Sequence, residues 1–366
     1  MIKPFAQTVL GAVILLACHE AAEEPELPAI VASSKYIDYS PVGDASVICM
    51  GEVLAQEDPF IAETAAFLGV DPPSGRIRYI RNLMQGFGDS GTWACPGAAS
   101  SCYVYHEDED LGLIRSIALA QYHELVHAVD VPTLGADGHR TLVEGLAEYL
   151  GSDTSSEYVL EGFPAAFKAM VARAPMPDDY RLAMHFVGSL LQSHGVEKYK
   201  ALRAALPTEG DLAALGSAFA AVYGEALDVA LERMSEAAVQ GRGPTICNGE
   251  AVELSWTGPG VIETTLRGEC GDPTFVGGGF SSTRPGFGMA FEFEVTDPGY
   301  YAVRLTSADG IESQDYALNP CPGVETGPED GAGGLFPGRY ELSVGFPAAP
   351  EPRGELNLKL ELVSPF

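Results

Sequence analysis

Tyr122-His123-Glu124-Leu125-Val126-His127-Ala128-Val129, followed after a short connection by Leu142-Val143-Glu144-Gly145-Leu146-Ala147-Glu148-Tyr149-Leu150, is the part of the chain on which a reading of the whole turns. Both stretches are apolar at helical spacing, and both carry polar groups one turn apart: His123 with His127, and Glu144 with Glu148. Side chains at i and i+4 project from one face of a helix, so the two imidazoles can reach a single metal ion. Glu124 stands about 100° round the helix from His123, where a carboxylate can take a proton from a water on that ion. Two histidines and a glutamate in so apolar a helix are costly unless something pairs them. Zinc does so in this reading, with the buried carboxylates of the second stretch supplying the missing third ligand.

Working outward, the apolar run 113–129 reads as one buried central helix. Other helical periods fall at 60–68, 141–150, 165–171, 182–191, 196–206 and 212–234, the last broken by Gly224, and strands are predicted at 46–52, 76–81 and 102–106. Strands first and helices later make residues 41–240 an α+β unit. After Gln240-Gly241-Arg242-Gly243-Pro244 the period changes to two: Phe291, Phe293 and Val295 alternate with Glu292 and Glu294, and Leu356, Leu358, Leu360 and Leu362 alternate with Asn357, Lys359 and Glu361. The turn-then-strand units Pro298-Gly299-Tyr300-Tyr301 and Pro337-Gly338-Arg339-Tyr340 repeat one another. Residues 245–366 thus read as an antiparallel β-sandwich, accessory by position, with its carboxylates on a solvated polar face.

At 366 residues the chain suits two domains, and its 21 Lys+Arg against 51 Asp+Glu give a formal net charge of −30. So acidic a surface repels phosphate backbones and anionic lipids, which argues against nucleic acid as a partner. Lys3, an apolar stretch too short to span a bilayer, and Leu15-Leu16-Ala17-Cys18 form an export signal that resembles the lipobox of bacterial lipoproteins. That resemblance implies a signal peptide at 1–17, a lipid on Cys18, an acidic tether at 18–40, and a cell-envelope location with the membrane contacted through the anchor alone. Six cysteines remain in an exported chain, which argues for disulfides. Cys95 and Cys102, bracketing a short Pro-Gly loop, are the local pair. With three cysteines before residue 103 and three after 246, full pairing requires a bridge between the halves.

The stretch His123-Glu124-Leu125-Val126-His127 is similar to the zinc helix of the gluzincins, the thermolysin-like metallopeptidases, and Glu144 with Glu148 resembles their Glu-x-x-x-Asp helix. The resemblance covers about residues 103–199. It implies zinc on His123, His127 and Glu144, Glu124 as general base, Glu148 orienting a ligating histidine, and a peptide substrate whose bond is hydrolysed. It also implies that the strand at 102–106 is the cleft edge where an extended peptide adds. Val143 stands where thermolysin-like enzymes carry Asn, Glu148 replaces Asp, and the His127–Glu144 connection is shorter, which points to the smaller gluzincin families.

Tyr180 and His185 are the candidates for stabilising an oxyanion, because gluzincins place a Tyr or His on the helix behind the metal. A core histidine bonded to backbone is the alternative for His185, and a first-turn surface position the expectation for His139. Glu107-Asp108-Glu109-Asp110 reads either as carboxylates capping the helix that follows or as a Ca2+ site, though EF-hand spacing is absent. Two rivals to the peptidase stay open: a zinc-holding but inactive binding lipoprotein, and another hydrolase on the same scaffold. No Gly-x-Met-Glu-Asn-type stretch is present to favour an aminopeptidase.

Overall fold

The computed structural model describes residues 27–42, 50–82, 95, 101–116, 121–135, 138–152, 156, 159–173, 175–243, 251–269, 272, 275–277, 286–313, 316–321, 324, 334–347 and 353–366. The protein is mixed α and β, with eight α-helices and three five-stranded sheets among those residues. Cys18 lies outside them.

The first sheet holds β1 (Ala32–Ser33), β2 (Ile37–Val42), β3 (Ile77–Asn82), β4 (Ser101–His106) and β5 (Leu111–Ser116), in the order β1-β2-β3-β5-β4. β2, β3 and β5 run parallel, while β4 returns antiparallel beside β5 and forms one edge. The crossover from β2 to β3 is α1 (Met50–Leu68), which buries Val53, Leu54, Ile61, Ala65 and Leu68. The helical spacing of those residues explains why Met50 to Glu52 are helix and not the end of a strand at 46–52; residues 43–49 are outside the described set. A tether reaching residue 40 is likewise corrected, because Ile37 and Tyr39 are fully buried in β2.

The run 113–129 is not one helix. Its first part belongs to β5, buried on both faces as a parallel strand is, and α2 (Tyr122–Leu134) starts only after residues 117–120. A fully buried strand and a buried helix are equally apolar throughout, so periodicity does not separate them. The acidic run therefore caps no helix. It forms a 3-10 turn at Glu107–Glu109 and, with Asp110 in the left-handed region at φ 49°, turns β4 into β5.

Six further helices follow: α3 (Arg140–Gly151), α4 (Phe163–Arg173), α5 (Tyr180–His194), α6 (Val196–Ala205), α7 (Leu212–Tyr223) and α8 (Leu227–Met234), each close to its expected span. Among the described residues no single helix is long and apolar enough to cross a membrane. Two glycines set how closely the helices around α3 approach. A Cβ on Gly145 would stand 2.5 Å from the Ala183 carbonyl oxygen of α5, and one on Gly151 would stand 2.6 Å from the His123 amide of α2. Both fall well inside van der Waals contact, so α3 is pressed against α5 along its middle and against the first turn of α2 at its end.

The C-terminal part comprises β6 (Val252–Glu253), β7 (Val261–Glu269), β8 (Phe275–Gly277), β9 (Gly286–Val295), β10 (Gly299–Ser307), β11 (Glu312–Ser313), β12 (Tyr316–Pro320), β13 (Gly334–Leu335), β14 (Gly338–Pro347) and β15 (Arg353–Pro365). One sheet runs β11-β10-β15-β7 with β13 on β10, the other β12-β14-β9-β6 with β8 on β9, and all pairs but β6 with β9 are antiparallel. The expected strands at 291–295, 298–303, 337–342 and 356–362 fall in β9, β10, β14 and β15. Their carboxylates are not all solvated: Glu292 is 0% and Glu341 4% exposed, directly opposite one another across β9 and β14, with Arg339 paired to Glu292. Cys95 and Cys102 lie at disulfide distance, their Cα atoms 5.8 Å apart. Cys321 is also disulfide-bonded, to a partner outside the described residues.

Candidate metal centre

α2 and α3 pack side by side, and their polar residues converge where they touch. His123 Nε2 lies 3.2 Å from His127 Nε2 and 3.2 Å from Glu144 Oε2, and His127 Nε2 lies 3.5 Å from the same oxygen. The three atoms form a nearly equilateral triangle that could hold a metal ion, and among the described residues no other group of three such side chains does. The other nitrogen of His123, Nδ1, lies 3.3 Å from Glu148 Oε2. Spacing of four residues on each helix, and the close approach at Gly151, are what bring the two pairs into register.

Glu124, 6% exposed, points toward the start of β4, where the Ser101 hydroxyl donates to its Oε1 at 2.8 Å. Two aromatic rings enclose the histidines. Tyr103 of β4 stacks on His127 with centroids 6.5 Å apart, and Tyr180 at the start of α5 lies flat on His123 at 5.4 Å and 8°. Arg140, the first residue of α3, approaches the outer oxygen of Glu144, its Nε 3.7 Å from Oε1.

The electrostatics follow from this convergence. Burial alone would push the His123 imidazole down, but hydrogen bonds to Glu144 and Glu148, with the Glu124 charge beside them, raise it to about 10. Burial alone would push the Glu144 carboxyl up, yet His123 and His127 hold it well below the ordinary carboxylate value. The carboxylates around His123 therefore favour a positive charge at the point where the two helices meet. Burial, and then the Glu144 charge, raise the Tyr180 phenol to about 12 against the pull of Arg140. It is a protonated O–H donor at neutral pH.

The structure thus brings His123, His127, Glu144, Glu148 and Tyr180 together with Glu124 beside them. It does not bring His185. That residue is wholly buried, its Nδ1 2.6 Å from the Ser156 hydroxyl and its Nε2 donating to the Met234 carbonyl at 2.8 Å, so it is a core histidine with no part in the cluster. His139 is also corrected: it is 4% exposed at the start of α3, with Nε2 2.8 Å from the Gly210 carbonyl.

Sequence reading missed three partners. Ser101 and Tyr103 come from a strand whose orientation was not legible. Asp130, three residues past His127 on α2, is fully buried and forms an ion pair with Arg203 of α6, which also donates to the Gly135 carbonyl at the end of α2 at 2.6 Å. The aspartate in an apolar helix was a visible signal, but its partner lies 73 residues away. No family model matches the chain, and no curated protein matches it.

Proposed function

We propose that this protein is a zinc-dependent peptidase of gluzincin type, with residues through about 240 forming the catalytic unit and the two C-terminal sheets packing as an accessory β-sandwich. The observation that carries the reading is the ligand triangle. Two ligands each about 2.0–2.1 Å from a tetrahedral zinc stand about 3.3 Å apart, and the three edges here are 3.2, 3.2 and 3.5 Å. The donor set of two imidazoles and one carboxylate is that of catalytic zinc sites, which keep a fourth position open.

Zinc held by His123, His127 and Glu144 would supply Lewis acidity to an attacking water and to the scissile carbonyl. The rest is the work of the chain. Glu124 takes the proton from the water and passes it to the leaving amine; the Ser101 hydroxyl occupies Oε1 and so leaves Oε2 for that transfer. Glu148 accepts from His123 Nδ1, which sets the tautomer that presents Nε2 to the ion. Tyr180, which keeps its proton at neutral pH and lies against His123, would donate to the developing oxyanion. β4 lies at the sheet edge beside α2 with no strand on its outer side among the described residues, and an extended peptide would add there.

The test compares the parent with Glu124→Gln, measuring zinc stoichiometry alongside hydrolysis of a broad peptide library. The variant keeps size and hydrogen bonding but cannot accept the proton. It should retain one zinc and lose ~10²–10⁴-fold in kcat/KM. A parent that binds zinc but cleaves nothing would favour the binding-protein alternative, and a parent without zinc would remove both.

A further inference from the structure

We propose that Arg140 is a positioning residue: it holds the outer oxygen of Glu144, so that the carboxylate presents Oε2 alone to a metal ion. The inference rests on the metal-site reading above and adds a residue to it. The two oxygens of Glu144 face different partners. Oε2 lies within 3.2 and 3.5 Å of the two histidine nitrogens, whereas the Nε of Arg140 lies 3.7 Å from Oε1. Tyr180 lies in the field of both Glu144 and Arg140, on the same side of the helix.

A role in the helix alone does not account for an arginine at this place. Arg140 is the first residue of α3, where the helix dipole disfavours a cation, and no acidic residue stands in that first turn. The pair also has the cation N-terminal to the carboxylate, the less favourable order for an i,i+4 contact. In a chain with 21 basic residues against 51 acidic ones, a cation at the rim of the cluster is set against the surrounding composition. What the position does offer is a charge on one side of Glu144, opposite the histidines, and Tyr180 hydrogen-bonds both members of the pair. Without that charge the carboxylate loses part of its preset orientation, and Oε1 turns more readily toward the ion to make a bidentate contact.

The experiment measures zinc affinity by chelator competition, the visible spectrum of the cobalt-substituted protein, and the thermal midpoint of the metal-free protein, for the full chain and for Arg140→Ala and Arg140→Lys. Arg140→Ala should weaken zinc binding ~10-fold, the lower end for loss of a group that orients a ligand. The cobalt d–d bands should lose intensity as the coordination number rises. The metal-free midpoint should stay or increase, because a cation unfavourable to the helix dipole has gone. Arg140→Lys should recover part of the affinity, since it restores the charge without the planar fork. Unchanged zinc affinity, or an unchanged cobalt spectrum, in Arg140→Ala would overturn the proposal while leaving the metal site standing. Failure of the parent chain to bind zinc would remove the metal site itself.

Discussion

Buried carboxylates occur in both halves of the molecule, and they are arranged differently. On α2 and α3 the acidic residues converge with histidines: Glu144 faces two imidazole nitrogens through one oxygen, Glu148 backs one of those imidazoles, and Asp130, within one turn of His127, is neutralised by Arg203. On β9 and β14, Glu292 and Glu341 are more deeply buried than the partly exposed Glu144 and Glu148 and stand opposite one another in a ladder, with a half-exposed Arg339 closing the pair and Ser343 donating to Glu341. Burial of charge is common to both. What distinguishes the helical cluster is an open polygon of electron-pair donors around a common point, and a strand ladder does not form one because its side chains stand parallel.

The largest effect that would break this contrast concerns the ion pair behind the cluster. Arg203→Ala leaves Asp130 fully buried without its cation and releases the Gly135 carbonyl that ends α2. Breaking a buried pair from one side costs about 3–5 kcal/mol, so chemical denaturation should show a loss of that size, with zinc affinity falling as α2 shifts. A loss below ~1 kcal/mol would mean that charge in the helical half is held as loosely as surface pairs are.

Next in size is Glu148→Ala. Its carboxylate touches His123 Nδ1 and no ligand position, so removal should weaken zinc binding by ~10–100-fold while keeping the one-to-one stoichiometry. Loss of the bound ion altogether would make Glu148 a ligand and redraw the triangle.

How much of this was legible beforehand depends on the range of the interaction. The site residues His123, Glu124, His127, Glu144 and Glu148 all lie on two helices close in sequence, and a four-residue repeat dictates which side chains share a face. Which side chains share a face therefore showed in spacing, while the meeting of the two faces at one metal was what the gluzincin resemblance implied. The fold was read correctly wherever period was unambiguous, as in α3 to α8 and in β9, β10, β14 and β15, and misread at 113–116, where a strand buried on both faces imitates a helix. Long-range partners left no trace: Arg203 for Asp130, Ser101 for Glu124, and the Ser156 and Met234 groups that satisfy His185 were set by tertiary packing. Glu292 failed for a related reason, since alternation identifies two faces of a strand but not what covers the second.

The metal-free cluster should also respond to pH in a direction fixed by its charges. His123 is raised from 6.5 to about 10, so its contribution to stability is fully present below pH 6.5 and is lost as the pH climbs through 10. Glu144 is depressed below its ordinary 4.5, so its contribution is present above that value and is lost under acid. In the proposed zinc site the ion requires a neutral imidazole, so binding would displace a His123 proton and zinc affinity should rise with pH below about 10. Thermal midpoints with and without zinc should diverge as the pH is raised from 7 to 9. Parallel curves would show that no proton leaves, and that the cluster does not exchange one cation for another.

The smallest expected effect comes from the sheet half, and it sharpens the contrast most. Glu292→Gln removes a charge that is attracted to Arg339 and repelled by Glu341 directly across the ladder. Opposite charges favour a cross-strand pair and like charges oppose it by similar amounts, ~0.2–1 kcal/mol each. The two contributions run against one another, the amide keeps the shape of the carboxylate, and Arg339 is half exposed and can turn to solvent. Stability should change by less than ~1 kcal/mol, and zinc affinity should not change, since nothing in that ladder belongs to the triangle of His123, His127 and Glu144. A loss of several kcal/mol on equilibrium denaturation would mean that Glu292 is an organising charge in its own right, and a change in zinc affinity would mean that the two halves are energetically coupled through the core they share.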